Sequence, residues 1–397
     1  MDITIYPGKL CGKLQIIPSK SQAHRLLICA AFADKPTTLI CSQTNADICA
    51  TVDCLNALGA EITRTEYGFY VVPVRNVPCE ADLNCGESGS TLRFLLPIAG
   101  ALGVNAAFHM SGRLPDRPIS PLNEEMERMG CRISKPRRDT LLCSGKLRPG
   151  HYQIAGNISS QFISGLMFAL PLLNGDSHLS IIGKVESAPY IEMTKVALAH
   201  FGVTISGGRI PPSFPFKTPG ELSVEGDWSN AAFFIAANAL GSNVELYGLR
   251  DDSPQGDKAC KELLAETEAL NISVANIPDL VPILSVAAAA KEGAVFTQIE
   301  RLRLKESDRV ATTVAMLKAL GISAEATDDT LTVFPGKIQS GTVSAENDHR
   351  IAMAAAVAST VADGPITILG AECVSKSYPG FWVDYKSLGG NYEQHIR

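Results

Sequence analysis

One pattern recurs six times along the chain and limits the folds open to it. Each copy is an alanine-rich, almost entirely apolar stretch, followed by a short polar turn and then by β-branched or apolar residues. A helix that is apolar on all sides is a buried helix, and helices alternating with strands indicate an α/β fold. The turns follow one another at about 52 to 72 residues, which indicates a repeat. The six stretches are residues 26–40, 92–110, 162–182, 231–246, 283–299 and 351–369.

Amphipathic segments between these stretches predict a second set of helices. Each is expected to end at a glycine or asparagine, because these residues accept the left-handed conformation that closes a helix. The expected closing residues are Gly59, Gly130, Gly202, Asn271 and Gly321. Six units suggest two lobes of three, with the chain crossing between them near residues 224–226. A cleft between two lobes is the usual place for a small-molecule site.

Composition argues against several classes of function. The chain has 35 Lys and Arg against 41 Asp and Glu, a net charge of −6, which disfavours a nucleic-acid or anionic-membrane partner. We see no signal-peptide pattern and no apolar run of the roughly 18 residues that a membrane span needs. The 11 cysteines include no Cys-x-x-Cys pair, so we expect reduced thiols and a cytoplasmic protein.

Cations stand close to the starts of the buried stretches. Ser, Asp and Asn there are ordinary helix caps, but Lys20, Arg25, Arg93 and Arg350 are not. A cation at a helix N-terminus opposes the helix dipole and needs an anion to compensate it. Backbone N–H groups with a nearby Lys or Arg form a phosphate or carboxylate site. The pattern predicts an enzyme for small substrates that carry several negative charges.

The segment 301–309 allows two interpretations. It alternates as a strand and then enters a predicted helix, and six of its nine residues are charged. Such a run is normally a solvated face, but Lys305 and Arg309 around Glu306 and Asp308 could also place a carboxyl acid or base beside anion-binding cations. The chain has no nucleotide-binding glycine loop, no serine-nucleophile elbow and no histidine spacing typical of metal ligands. We therefore expect no metal and no organic cofactor.

Read in chain order, a further set of motifs resembles the enolpyruvyl transferases, and within them the branch that acts on shikimate 3-phosphate. The resemblance runs along nearly the whole chain. It implies an α/β fold in the form of a two-lobed inside-out α/β barrel, with six repeated β-α-β-α-β-β units, three per lobe, around buried parallel helices. The motifs are Ser19-Lys20-Ser21 with Arg25, and residues 88–93, 116–119, 159–161, 187–190, 305–309 and 347–350, with Lys376.

The resemblance also implies how the chain divides. Residues 1–18 and 225–397 should form one lobe, which carries the acid and base carboxylates and part of the phosphoenolpyruvate site. Residues 19–224 should form the other lobe, with the shikimate 3-phosphate site and the rest of the phosphoenolpyruvate site. A monomer is expected.

The implied reaction moves the enolpyruvyl group of phosphoenolpyruvate to the 5-hydroxyl of shikimate 3-phosphate through a tetrahedral ketal and releases phosphate. Glu306 is the candidate acid and base at C3, and Asp279 is the candidate at the hydroxyl, with Lys20 an alternative for either proton. Shikimate 3-phosphate is assigned to Lys20, Ser21, Arg25, Ser159, Ser160, Gln161, Ser187, Asp279 and Lys305. Phosphoenolpyruvate is assigned to Lys20, Gly89, Arg93, Arg117, Gln161, Arg309, Arg350 and Lys376.

Two alternatives stay open beside this interpretation. One is the sister branch that transfers enolpyruvyl to UDP-N-acetylglucosamine, which often carries a cysteine acid ahead of its Arg-Pro; residues 109–130 contain no cysteine. The other is a non-catalytic anion-binding scaffold of the same fold. Glu87 and Arg301 stand where asparagine is frequent in the family, and a carboxylate at position 87 should weaken the local positive field.

Overall fold

A computed structural model describes residues 1–266 and 268–395 of the chain. The helices are named in chain order. They are α1 (Lys20–Ala31), α2 (Ala46–Ala57), α3 (Gly89–Leu102), α4 (Leu122–Arg128), α5 (Ser160–Ala169), α6 (Ala188–His200), α7 (Trp228–Ala239), α8 (Cys260–Ala265), α9 (Val281–Ala289), α10 (Arg309–Ala319), α11 (His349–Ala358) and α12 (Phe381–Ser387). Short 3-10 turns occur at Leu114–Asp116, Leu170–Leu172, Gly256–Ala259, Glu300–Leu304 and Ala371–Lys376.

The strands are short, between two and seven residues each. They are β1 (Asp2–Tyr6), β2 (Cys11–Gln15), β3 (Thr37–Ile40), β4 (Glu61–Arg64), β5 (Gly68–Val72), β6 (Glu80–Gly86), β7 (Asn105–Met110), β8 (Cys131–Arg137), β9 (Thr140–Gly145), β10 (His151–Ala155), β11 (Ser177–Ile182), β12 (Arg209–Ile210), β13 (Glu221–Ser223), β14 (Asn243–Tyr247), β15 (Leu270–Ser273), β16 (Ala294–Thr297), β17 (Ala324–Ala326), β18 (Thr330–Val333), β19 (Gly341–Ser344), β20 (Ile366–Leu369) and β21 (Asn391–His395).

Backbone contacts divide the chain into two compact units. The first unit is Met1–Ile17 with Gly226–Arg397, and the second unit is Pro18–Glu225. The first unit contains the sheets β19-β20-β1-β21, β15-β16-β18-β17 and β14-β2, and the second contains β13-β3-β5-β4, β6-β7-β9-β8 and β10-β11-β12. Each unit has a hydrophobic core made only of its own residues.

One strand order recurs in both units. In the second unit β6 is parallel to β7, which then continues through the antiparallel strands β9 and β8. The same sequence of one parallel pair followed by two antiparallel strands occurs in β13-β3-β5-β4, and in the first unit in β15-β16-β18-β17 and β19-β20-β1-β21. A parallel pair needs a crossover connection, which the helices provide.

The buried helices lie where the apolar stretches predict them, and this prediction is confirmed. In the first unit α7, α9 and α11 pack on one another, and in the second α3 packs on α5. Every residue of α11 is buried, as is every residue of α9. Their alanine-rich surfaces allow close contact on all sides. No helix within residues 1–266 and 268–395 has both the length and the hydropathy to cross a membrane.

Two local predictions are wrong. The helix expected to close at Asn271 already ends at Ala265, and Asn271 lies inside β15. The alternation of Leu270 and Ile272 supports a strand, and β15 pairs in parallel with β16. The strand expected from residue 301 is a 3-10 helix over Glu300–Leu304. There Leu302 is buried and the flanking Arg301 and Arg303 are half-buried in a turn, so the side chains do not alternate between two faces of a sheet.

Candidate active site

In the second unit, α1 begins with a capped turn that carries a paired lysine. The Ser19 hydroxyl accepts from the backbone N–H of Gln22, and Lys20 follows as the first helical residue. Lys20 Nζ lies 2.9 Å from Asp47 Oδ2 in the first turn of α2. The sequence analysis did not select Asp47. An acidic residue in a first helical turn is ordinary helix chemistry, so only the folded contact identifies it as the partner of Lys20.

Arg25 is a buried cation whose partners in the described chain are all neutral. Its side chain is 2% exposed. The guanidinium donates to the carbonyls of Ser21 at 2.6 Å and Tyr190 at 2.9 Å, and to the Thr194 hydroxyl at 2.8 Å, with the Phe94 ring 5.1 Å away. Burial lowers the pKa of Arg25 to about 10, which leaves it charged at neutral pH. A buried charge without a counter-ion favours binding of an anion.

The serines assigned to shikimate 3-phosphate stand at the starts of α5 and α6. Ser159 caps α5 by accepting from the backbone N–H of Gln161 at 3.2 Å, and Ser160 is the first helical residue. Ser187 precedes α6 in a left-handed conformation, with φ of 55°. A left-handed conformation at a residue other than glycine costs free energy and marks a position of functional interest.

The strands that lead to these serines are neighbours. β10 and β11 pair in parallel, and the pairing continues past their ends, where the Gly156 N–H donates to the carbonyl of Ile182 at 2.9 Å. Parallel strands deliver their carboxyl ends to one edge of a sheet. Because β10 runs toward Ser159 and β11 toward Ser187, the two serine segments leave the sheet at the same edge.

The start of α3 brings four of the phosphoenolpyruvate candidates together. Arg93 Nη1 donates to Gln161 Oε1 at 3.0 Å, and Nη2 donates to the carbonyl of Pro118 at 3.0 Å. A Cβ atom added at Gly89 would lie 2.6 Å from Arg93 Nη1 and 2.8 Å from Arg117 Nη1. Glycine therefore allows both guanidiniums to approach the backbone. The Glu87 carboxyl lies close to the backbone of Gly112, where an added Cβ atom would lie 2.5 Å from Glu87 Cδ.

The sequence placed these cations too close to the first helical residues. Arg25 and Arg93 lie one turn inside α1 and α3 rather than at their starts. Side chains on a helix lean toward its N-terminus. The Arg25 side chain does so, because its guanidinium donates to the carbonyl of Ser21, one turn earlier. The guanidinium thus reaches the helix start from a buried position.

In the first unit, one fully buried arginine bonds three carboxylates. Arg309, with no exposed side-chain surface, donates to Asp279 Oδ1 at 2.7 Å, Glu306 Oε2 at 2.5 Å and Asp348 Oδ2 at 3.0 Å. Burial disfavours its charge, but these carboxylates raise the pKa of Arg309 above its usual value. The arginine therefore fixes the spacing of the two candidate acid and base groups, Glu306 and Asp279.

The Asp279 carboxylate contacts three cations of this cluster. Its Oδ2 accepts from Arg350 Nη2 at 3.0 Å, and its Oδ1 lies 3.5 Å from Lys305 Nζ as well as beside Arg309. Burial lowers the pKa of Lys305, and the charge of Asp279 opposes that shift. An anionic substrate at this place would compete with Asp279 for three cations.

Asp348, at the start of α11, is a second residue that the site prediction missed. Its carboxylate caps the helix through the Arg350 backbone N–H at 3.0 Å and accepts from the Ser307 hydroxyl at 2.9 Å. Burial raises its pKa, but Arg309 outweighs this and holds the pKa of Asp348 below its usual value. Lys376 Nζ reaches the carbonyl of Asn347 at 3.1 Å, next to the same helix start.

The two clusters differ in chemistry. The first unit joins cations to carboxylates that could exchange protons, and Glu306 keeps 29% of its side chain exposed. The second unit supplies cations and hydroxyls with few carboxylates. In residues 1–266 and 268–395, no group of three or more His, Cys, Asp or Glu side chains has an arrangement that could hold a metal ion.

The family model for EPSP synthase (3-phosphoshikimate 1-carboxyvinyltransferase) matches residues 5–270 and 264–384. The chain belongs to the EPSP synthase family. The resemblance read from its motifs is thereby confirmed.

Members of the EPSP synthase family from clostridia are similar over their full length. The 3-phosphoshikimate 1-carboxyvinyltransferase of Clostridium beijerinckii is 38% identical, covering 99% of this chain and 98% of the relative. That of Clostridium perfringens is also 38% identical, covering 98% of each. The solved EPSP synthase from Acinetobacter baumannii matches with a TM-score of 0.78 at 23% identity, over 99% of this chain and 100% of that one. This match confirms the expected α/β class of fold.

Proposed function

We propose that this chain is a transferase that moves the enolpyruvyl group of phosphoenolpyruvate to the 5-hydroxyl of shikimate 3-phosphate and releases phosphate, a step of aromatic amino acid biosynthesis. The observation that carries the proposal is the full-length similarity to relatives named 3-phosphoshikimate 1-carboxyvinyltransferase. The buried cations of both units supply the chemistry, since each substrate bears one phosphate and one carboxylate.

Most of the proposed shikimate 3-phosphate contacts belong to the second unit. Arg25 supplies a buried charge that has no carboxylate partner in the part of the chain that the structure describes. The helix starts of α1, α5 and α6 supply hydroxyls and backbone N–H groups for phosphate oxygens. The proposed contacts are Lys20, Ser21, Arg25, Ser159, Ser160, Gln161, Ser187, Asp279 and Lys305.

Phosphoenolpyruvate is proposed to bind through guanidiniums, which can hold a phosphate or carboxylate through two parallel hydrogen bonds. Arg93 is already oriented by Gln161 and Pro118, and Gly89 leaves room beside it. The proposed contacts are Lys20, Gly89, Arg93, Arg117, Gln161, Arg309, Arg350 and Lys376.

The proposed chemistry has two stages. Glu306 gives a proton to C3 of phosphoenolpyruvate while the 5-hydroxyl adds at C2 and loses its proton to Asp279, which yields the tetrahedral ketal. Glu306 then removes a proton from C3 as the C2–O bond to phosphate breaks, so the double bond returns and phosphate leaves. Asp279 gives the proton of the former hydroxyl to the departing phosphate, which returns both carboxyl groups to their starting states. Arg309 bonds both carboxylates, which suits groups that must act in concert. Lys20 is the alternative carrier for either proton.

We further propose that the fold is the two-lobed inside-out barrel of six repeated units. The recurring strand order and the buried helices of each unit support it. The proposed lobes are residues 1–18 with 225–397, and residues 19–224. We propose a monomer in the cytoplasm; the free state of all eleven cysteines suits that compartment. The proposed steps use no metal and no organic cofactor.

Phosphate release from phosphoenolpyruvate tests the proposal directly. Purified protein is given phosphoenolpyruvate with either shikimate 3-phosphate or UDP-N-acetylglucosamine as acceptor. We expect release with shikimate 3-phosphate alone. Release only with the UDP-sugar would assign the chain to the sister reaction, and release with neither would support a non-catalytic scaffold.

The acid and base role of Glu306 has its own test. We expect Glu306→Gln to lower kcat by about 100-fold or more, the usual contribution of a positioned proton carrier, while shikimate 3-phosphate still binds in calorimetry. Glu300→Gln is the matched control, because Glu300 is exposed on the preceding 3-10 turn. A Glu306→Gln protein with the kcat of the control would show that another group handles the C3 proton.

A further inference from the structure

One buried hydroxyl joins the three helices whose starts carry the proposed shikimate 3-phosphate contacts. Thr194, in α6, accepts a hydrogen bond from Arg25 Nε at 2.8 Å. Its own hydrogen lies toward the hydroxyl of Ser164, in α5, at 2.8 Å, or toward the carbonyl of Tyr190 at 3.0 Å. The Thr194 and Ser164 side chains have no exposed surface.

The position of this hydroxyl along each helix is specific. Ser164 lies one turn after Ser160 in α5, and Arg25 lies one turn after Ser21 in α1. Thr194 lies in α6, which begins after Ser187. A buried polar network that satisfies all its members fixes the elements that it joins. The Thr194 hydroxyl and its side-chain partners, which lie a turn or more inside the helices, thus hold the three helix starts in one arrangement.

The hydroxyl also orients the buried charge. A guanidinium carries five N–H donors in a rigid plane, so a fixed Nε–H and two fixed carbonyl contacts set the direction of the whole fork. Arg25 has no carboxylate among its partners in the described chain to do this instead. Loss of the Nε contact would leave a buried donor unsatisfied, and the plane would turn toward another acceptor.

We propose that Thr194 is a positioning residue for Arg25 and thereby sets the affinity for shikimate 3-phosphate without touching it. This inference rests on the proposed function. It assigns a role to a buried threonine that is separated from Arg25 by 169 positions in the sequence.

The test is Thr194→Val, which keeps the shape of the side chain and removes the hydroxyl. We expect the KM and the calorimetric Kd for shikimate 3-phosphate to rise about tenfold, equivalent to about 1.4 kcal/mol. At saturating shikimate 3-phosphate, kcat and the KM for phosphoenolpyruvate should stay within about twofold of wild type. Thr194→Ser restores the hydroxyl and should return the KM most of the way.

Thr313→Val is the matched control. Thr313 is equally buried, in α10, but its hydroxyl finds no hydrogen-bond partner within residues 1–266 and 268–395. Removing it should leave both KM values unchanged. A merely structural role for Thr194 would reduce the folded fraction, which lowers the apparent kcat but leaves the KM for shikimate 3-phosphate as it was.

The outcomes separate the inference from the proposed function. A wild-type protein that releases no phosphate with shikimate 3-phosphate contradicts the proposed function itself. An active wild type with an unchanged KM for shikimate 3-phosphate in Thr194→Val overturns the role of Thr194. If the valine variant does not fold, Thr194→Ala replaces it, since the smaller side chain fits without strain; the same rise in KM is expected, and its absence overturns the inference.

Discussion

The buried arginines of the two units balance their charge in different ways. Arg309 is neutralised inside the protein by Asp279, Glu306 and Asp348, so its charge belongs to the folded unit itself. Within residues 1–266 and 268–395, Arg25 donates to two carbonyls and a hydroxyl, and its proposed counter-ion is the bound substrate. Breaking a buried ion pair is strongly destabilising, so the Arg309 cluster should contribute to stability as well as to the proposed chemistry.

His24 gives the second unit a predictable sensitivity to acid. It is 1% exposed, and its Nδ1 lies 2.7 Å from the Thr51 hydroxyl. Burial lowers the pKa of His24 to about 3, against about 6.5 for an unfolded histidine. Below pH 6.5 His24 is protonated in the unfolded chain but stays neutral in the folded chain. The contribution of neutral His24 to the free energy of unfolding is therefore fully present above pH 6.5 and is lost as pH falls toward 3.

We expect His24→Asn to reduce this loss, because the asparagine amide can bond Thr51 but does not titrate. Between pH 7 and pH 5, wild type should lose about 2 kcal/mol more of its free energy of unfolding than the variant. Urea unfolding at the two pH values measures it, with His200→Asn, at an exposed position, as the control. Equal losses in wild type and His24→Asn would show that His24 is not the acid-sensitive group.

At the scale of elements, the contact between α3 and α5 depends on one glycine. A Cβ atom at Gly165 would overlap the carbonyl oxygen of Arg93, so the two helices touch backbone to backbone there. Gln161, one turn earlier in α5, bonds the side chain of that same arginine. Gly165→Ala should push the helices apart, lower the free energy of unfolding by about 1–3 kcal/mol, and raise the KM for phosphoenolpyruvate as the Arg93–Gln161 bond lengthens.

Denaturant midpoints and KM values measure both effects of Gly165→Ala. Gly8→Ala is the control, since an added Cβ there meets no atom within 4 Å. If the denaturant midpoint of Gly165→Ala were as high as that of the control, α3 and α5 would be shown to accommodate the added methyl group.

Local sequence chemistry predicted the elements well where one signal acted alone. The apolar stretches located the buried helices, and Gly59 and Gly321 follow α2 and α10 as expected. At Asn271, however, two local signals disagreed. A helix-closing residue and an alternating strand overlapped there, and pairing with β16, distant in the sequence, decided for the strand.

The sequence identifies the charged groups of the proposed site but not the partners that the structure gives them. Lys20, Arg93 and Arg309 stand in recognisable motifs, whereas Asp47 and Thr194 stand in ordinary helical surroundings. Asp47 contacts Lys20 across 27 positions of sequence, and Thr194 contacts Arg25 across 169 positions. No local sequence pattern predicts such a contact, because the packing of helices brings together residues that are far apart in the sequence.

At the scale of the whole molecule, the first unit depends on a segment far away in the sequence. Strand β1 lies between β20 and β21 and pairs with both, and β2 pairs with β14. Without residues 1–17, two inner edges of that sheet would be exposed, along with buried residues such as Ile3 and Ile5. The second unit has no such dependence, since Pro18–Glu225 is one continuous segment that contains its own core.

This difference leads to opposite expectations for two fragments. Pro18–Glu225 should fold alone, because a unit with its own core and paired strands is able to fold independently. It should unfold in urea with a single sigmoidal transition, followed by circular dichroism. It should also bind shikimate 3-phosphate more weakly than the full chain and release no phosphate, since the proposed contacts Asp279 and Lys305 and the proposed acid Glu306 are missing. Residues 226–397 without β1 should show no cooperative transition. Both expectations assume that each unit buries its own separate apolar core. They would be contradicted if fragment 18–225 unfolded without a sigmoidal transition, or if fragment 226–397 unfolded cooperatively.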